Sequence, residues 1–298
     1  MLPWLGTSIA RAASVGPARR RYAGRAGLGF RAFPPANTPL GAPGYRQQVI
    51  LWMVGGLSAL ALLAIGGGGG KSSSKDPPAP PAAQLLPFTD SELTTNWGTT
   101  PTWVRPVLLQ IEKVSGLPGA ARFLAIVARG ESSFTVTAHN QSKTEVDASR
   151  AAYDNAIDTF PPLKYASRAR DFGGGGLFGS LAPYFLWAGV QGELGNQAPL
   201  LQAPPEWMFA PHVAGFDAAF RMSRLLKHYP IADWPDVRAG WRSPSLLVDG
   251  YGGATHLDRR QKFIDRAASM QIDLGQFPPP DASGYTGAAA IWKGLVAA

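Results

Sequence analysis

The chain has 298 residues, 45% of them hydrophobic, with a net charge of +8 and no cysteine. Without cysteine there is neither a disulfide framework nor thiol chemistry. The charge is uneven: residues 1–75 hold nine Arg and Lys and no Asp or Glu, leaving 19 basic against 20 acidic residues, a net of −1, for the remainder. The high pI thus belongs to the N-terminal segment, and charge does not support nucleic-acid binding by the main domain.

Residues 1–48 read as a basic, disordered segment, Arg-rich and acid-free over its first 35 residues. Such a tail suits anionic lipid or nucleic acid. The same composition resembles a mitochondrial transit peptide. Residues 49–66 (VILWMVGGLSALALLAIG) are uncharged and mostly apolar. At about 1.5 Å per residue they match the hydrocarbon thickness of a bilayer and are expected to form one transmembrane helix. With the arginines before it, the positive-inside rule places the N-terminus in the cytoplasm and the bulk of the chain on the periplasmic or wall side, or outside a virion membrane. Residues 67–86, Gly-rich and then Pro-rich, read as a flexible linker followed by a stiffer spacer. Gly70-Lys71-Ser72 ends like a phosphate-binding loop, but Ile65 stands where that loop needs Gly.

The globular domain is expected over 87–275, with a tail at 276–298. Thr102 to Lys113 reads as its first helix, and Gly116-Leu-Pro-Gly119 as a turn. The next segment, FLAIVARGESSF (123–134), carries apolar residues at helical spacing, and Gly130 is an end signal. Glu131 then sits at the C-terminus of a buried helix. The negative helix end and an apolar surround, Phe134 included, both favour a protonated carboxyl. That is what a general acid for glycosidic cleavage needs, although a solvated acid at a helix end gives the same pattern.

Further on, Ser149 to Thr159 reads as a short helix stopped by Pro161-Pro162, and Arg168 to Gly176 as a Gly-rich loop able to approach a ligand closely. Phe209–Tyr229 and Leu257–Ile272 read as helices. Glu145, Asp147, Asp154 and Asp158 are positional candidates for a second carboxylate. Trp187, Trp207, Trp234 and Trp241 suit either a core or a saccharide groove. The four histidines, at 139, 212, 228 and 256, show no metal-ligand spacing, so neither a metal nor a cofactor is expected.

Glu131-Ser132-Ser133-Phe134, with Ala138 and Asn140 downstream, resembles the Glu-Ser-x-Phe-x-x-x-Ala-x-Asn/Ser signature of the soluble lytic transglycosylases and their goose-type lysozyme relatives. Gly176-Leu177-Phe178-Gly179-Ser180-Leu181-Ala182-Pro183 resembles that family's second segment, Gly-Leu-Met/Phe-Gln-x-x-Pro. The two stand in the family's order within residues 100 to 250. The resemblance implies a mainly α, lysozyme-like domain that cleaves the MurNAc–GlcNAc bond of peptidoglycan glycan strands; the apolar segment 49–66 would tether it to a lipid bilayer. It implies Glu131 as catalytic acid and base. It also implies substrate contacts from Ser132, Asn140, Gly176, Leu177 and Phe178, with the Gly-rich loop lining the groove. Two features depart from the family. Gly179 replaces its Gln, and the Tyr-Asn-Ala-Gly segment whose Tyr touches the Glu is absent, leaving Trp241 and Tyr251 as candidate substitutes. A hydrolytic lysozyme and an inactive wall-binding protein are the alternatives on the same fold.

Overall fold

The computed structural model describes residues 77–297, apart from 85, 157–164, 184 and 186–202. The expected membrane helix at 49–66, the basic segment before it, Asp158 and Trp187 lie outside the described residues. Among the described residues no helix is long and apolar enough to cross a membrane. The architecture is mainly α-helical, as expected.

Helices α1 (Asp90–Thr94), α2 (Arg105–Ser115) and α3 (Ala120–Glu131) open the domain. The turn between α2 and α3 falls where the sequence placed it, with Gly116 in the left-handed conformation closing α2. Helix α3 is the centre of the core: Ala120, Ala121 and every residue from Phe123 to Ala128 are buried. The ring of Phe123 meets Trp234 at 5.0 Å, Trp241 at 5.5 Å and Phe263 at 5.5 Å. This aromatic cluster joins α3 to α7 (Trp234–Gly240) and α8 (Ala254–Ser269).

Between α3 and α7 lie α4 (Lys143–Ala156), α5 (Ala166–Phe172) and α6 (Pro211–His228). Three two-residue strands, β1 (His139–Asn140), β2 (Gly174–Gly175) and β3 (Ser180–Leu181), form an antiparallel sheet in that order. The register pairs His139 with Gly175 and Gly175 with Ser180. Helix α4 starts six residues before the expected Ser149. The first part of the expected loop 168–176 is helix α5. It is held on α4 by Arg170–Asp154 and Arg150–Asp171 pairs, and buries Ala169. Only its glycine end is extended.

Two boundaries differ from the sequence reading. The segment 276–298 is not a free tail: it carries α9 (Ala288–Leu295), which buries Ala288, Ile291 and Leu295 against α2 and α6. The described end of the linker is docked as well. Trp207 Nε1 donates to the Pro78 carbonyl and His212 Nε2 to the Pro81 carbonyl, both at 2.8 Å. Ala83 bridges Val296, and Ala297 N donates to the Ala82 carbonyl at 2.8 Å. A proline-rich strand has spare carbonyls, so it seats on donors that a core presents.

His212 makes this strap sensitive to acid. Burial holds its imidazole below the usual value of 6.5, against the smaller pull of the Pro81 carbonyl. The fold therefore favours the neutral ring. The stability it contributes is present above pH 6.5 and is lost as pH falls through the lowered folded value. Amide protection of residues 82–84, with the intrinsic pH dependence of exchange divided out, is expected to fall below about pH 6.5 in the wild type. It should stay flat over the same range in His212→Gln; a pH-independent wild type would remove His212 from the account.

Candidate functional site

The chain turns sharply at Glu131. Ser132 N donates to the Ala128 carbonyl at 3.1 Å, and Phe134 N reaches the same oxygen at 3.4 Å. Ser133 and Phe134 both have positive φ, 50° and 63°. Two consecutive non-glycine residues in this region cost on the order of 1–3 kcal/mol each. What holds them is packing: Phe134 is buried in the core, and Ser132 Oγ donates to the carbonyls of Ala128 and Leu177. The turn thus ties the end of α3 to the 176–181 loop and leaves the Glu131 carboxylate facing a cleft.

That cleft has a volume of about 150 Å³. Its walls include Glu131, His139, Asn140, Glu145, the Gly174–Gly176 backbone, Gly179 and Arg242. The sheet forms one side. Helix α4 supplies Glu145, which comes close to the sheet: a Cβ on Gly174 would stand 3.2 Å from Glu145 Oε2. Gly179 is tighter. Its φ is +62°, and a Cβ there would stand 2.7 Å from Glu131 Oε2. Glycine where the family has Gln is therefore matched to the position of this carboxylate.

Glu131 is 7% exposed and bound by two arginines. Arg238 Nη2 donates to Oε1 at 2.7 Å and Arg242 Nη2 to Oε2 at 2.5 Å. The other arm of Arg242 stands 3.7 Å from Glu145 Oε1. The surround expected from the sequence was apolar; the one observed is cationic, because α7 and the residues just beyond it deliver two guanidinium groups from 107 and 111 residues away. Burial pushes the Arg238 guanidinium down to about 10, with Glu131 opposing and Arg242, Arg266 and Arg259 reinforcing the shift. A guanidinium stays charged at that value, so the shift records the cost of its desolvation.

Helix α7 is fixed by a polar network at its N-terminus. Asp233 caps the helix through Asp236 N at 2.9 Å and takes both arms of Arg260 at 2.7 Å. Asp236, fully buried, also accepts from Arg260, from Ala232 N at 3.1 Å and from the Tyr251 hydroxyl at 3.4 Å. Gly252 N donates to His256 Nδ1, which leaves the ring proton on Nε2, 3.2 Å from Asp236. The network positions Arg238 on the last turn of α7 and Arg242 just beyond it.

The expected site residues divide accordingly. Glu131, Asn140 and Gly176 line one cleft, as does Glu145. Asn140 folds its Oδ1 back onto Ser142 N at 3.0 Å. Ser132 is structural, while Leu177 and Phe178 are buried core residues beneath the loop. Trp241 and Tyr251 do not take the place of the family Tyr. Trp241 packs on Phe123 and under Arg221, whose guanidinium carbon is 4.7 Å from its ring. Tyr251 packs at a tilt on His256, with ring centroids 4.6 Å apart, and lines a separate hollow with Pro230, Ile231 and Ala232. Asp147 and Asp154 are engaged by Lys143 and Arg170 away from the cleft. Sequence reasoning missed Arg238 and Arg242. Arg238 lies on the last turn of α7 and Arg242 just beyond the helix, and nothing local says that both meet Glu131. Among the described residues no cluster of side chains is suited to a metal ion.

Comparison with protein-family models, curated proteins and solved structures gives no match to this chain.

Proposed function

We propose that this protein is a membrane-anchored, lysozyme-like enzyme that cleaves the MurNAc–GlcNAc bond of peptidoglycan, with Glu131 as the general acid. The observation that carries the reading is Glu131 itself, at the end of a buried helix and facing a cleft walled by a small antiparallel sheet. The two sequence segments that resemble the transglycosylase family meet in that cleft. The apolar stretch at 49–66 and the arginines before it support a bilayer tether with the domain on the wall side.

The chemistry follows from the carboxyl group. Glu131 gives its proton to the glycosidic oxygen as the bond to the muramic C1 breaks. In transglycosylation the muramic 6-hydroxyl attacks C1 and returns its proton to Glu131, so no water is consumed. In hydrolysis a water attacks C1, and a second carboxylate normally assists. Glu145 favours this second route, since it shares the cleft with Glu131. The grip of Arg238 and Arg242 on both oxygens of Glu131 favours a third reading, a wall-binding protein that has lost catalysis.

Mass spectrometry of soluble products from purified peptidoglycan separates the three. The proposed enzyme is expected to release muropeptides, and Glu145→Gln shows the route. Anhydro-muramic ends that survive Glu145→Gln identify a transglycosylase. Reducing muramic ends that fall at least about 100-fold in Glu145→Gln identify a two-carboxylate hydrolase. A folded protein that pellets with the wall and releases nothing sinks the enzymatic reading.

A further inference from the structure

Arg242 is the exposed member of the pair on Glu131: its side chain is 44% exposed against 16% for Arg238. It stands in the cleft wall and spans both acidic groups there, one arm on each. A glycan entering the cleft must loosen this contact, because Glu131 cannot donate a proton while both oxygens accept from guanidinium groups. Arg238, mostly buried, has less room to move. Arg242 is at the surface and can leave.

The cost of its departure depends on what the ligand offers. A neutral sugar would strip a guanidinium of its carboxylates and supply only hydroxyls. An acidic sugar would supply a carboxylate to replace them, in the planar two-point geometry that arginine favours. The local field points the same way. Arg242, Arg259 and Arg266 all act on Arg238, and the carboxylates beside these four arginines are Glu131, Glu145 and Asp258, one fewer than the cations. Such a surplus of positive charge suits an anion.

Building on the glycosidase reading, we propose that Arg242 determines specificity by pairing with a free carboxylate on the glycan, so that binding of an acidic saccharide releases Glu131 for catalysis. The muramic lactyl group carries such a carboxylate only when it is not amide-linked to peptide. The preferred substrate is then a peptide-free strand, and an amide hydrolysis must supply it.

The test uses the full 298-residue chain. Peptide-free glycan oligomers with free lactyl carboxylates are compared with the same oligomers converted to neutral methylamides. Calorimetric titration gives affinity, and product release gives rate. The wild type is expected to bind the acidic form roughly tenfold or more tightly, as a charge-assisted bidentate contact would give. In Arg242→Gln the ratio should fall to about one to two, in Arg242→Lys it should be intermediate, and the wild-type preference should shrink as salt is raised. Circular dichroism checks that the variants are folded, which an exposed position favours. Equal wild-type affinity for the two forms, no binding of either, or a preference that persists in Arg242→Gln overturns the proposal. An Arg242-dependent preference without any bond cleavage keeps the anion site and overturns the catalytic reading; equal cleavage of both forms does the reverse.

Discussion

Glu131→Gln is expected to abolish release of wall fragments and also to lower the melting temperature. General acid–base groups contribute on the order of 10²–10⁴ in rate, so turbidity clearing should fall by about that factor. The thermal effect comes from Arg238. Its guanidinium is mostly buried and pairs with Glu131 at 2.7 Å. An amide oxygen keeps a hydrogen bond but not the charge, and weakening a buried charged contact costs about 1–3 kcal/mol. For a domain of this size that is roughly 2–10 °C. The combined phenotype distinguishes this carboxylate from a solvated acid, whose loss would change neither property. Clearing at the wild-type rate would remove Glu131 as the acid. Lost clearing with unchanged melting would mean that the pair with Arg238 contributes little.

Gly179→Gln restores the residue type found in the resembled family and is expected to damage the proposed activity. The backbone there has φ +62°, and the added Cβ would stand 2.7 Å from Glu131 Oε2, 3.1 Å from Glu131 Cβ and 3.2 Å from an Arg242 nitrogen. Left-handed backbone with a side chain costs about 1–2 kcal/mol. The steric conflict falls on the carboxylate proposed as the acid, and a misplacement of about 1 Å can cost on the order of 100-fold in rate. Activity should therefore drop about that much, with a smaller change in melting temperature. Gly179→Ala should show most of the same loss, because the conflict begins at Cβ. A Gln variant as active as the wild type or more so would mean that the 176–181 loop relaxes to the family's geometry, and that glycine here is incidental.

Much of the helical scaffold was legible in the chain alone. Apolar residues at a period of 3.6 mark α3 as buried, and in the structure Ala120, Ala121 and Phe123 to Ala128 are buried. The glycines of the 116–119 turn mark the α2–α3 turn for the same local reason, since backbone preference and periodicity need no distant partner. The position of Glu131 at a helix end was legible too. Local reading failed where partners are remote. The strap and α9 look like spacer and tail because their polar and apolar groups find each other only across the fold: Pro78 meets Trp207, and Ala83 meets Val296. Trp241 and Tyr251, candidates by type, were sorted into core and surface by where α7 and its following loop lie. The electrostatics of the cleft belong wholly to the tertiary structure. Composition assigns the main domain almost no net charge, yet folding concentrates Arg238 and Arg242 on one carboxylate and brings Glu145 to the same guanidinium. Coulombic interaction acts through space over a few ångströms, so its strength at Glu131 is set by the packing of α7 against α3 and not by order along the chain.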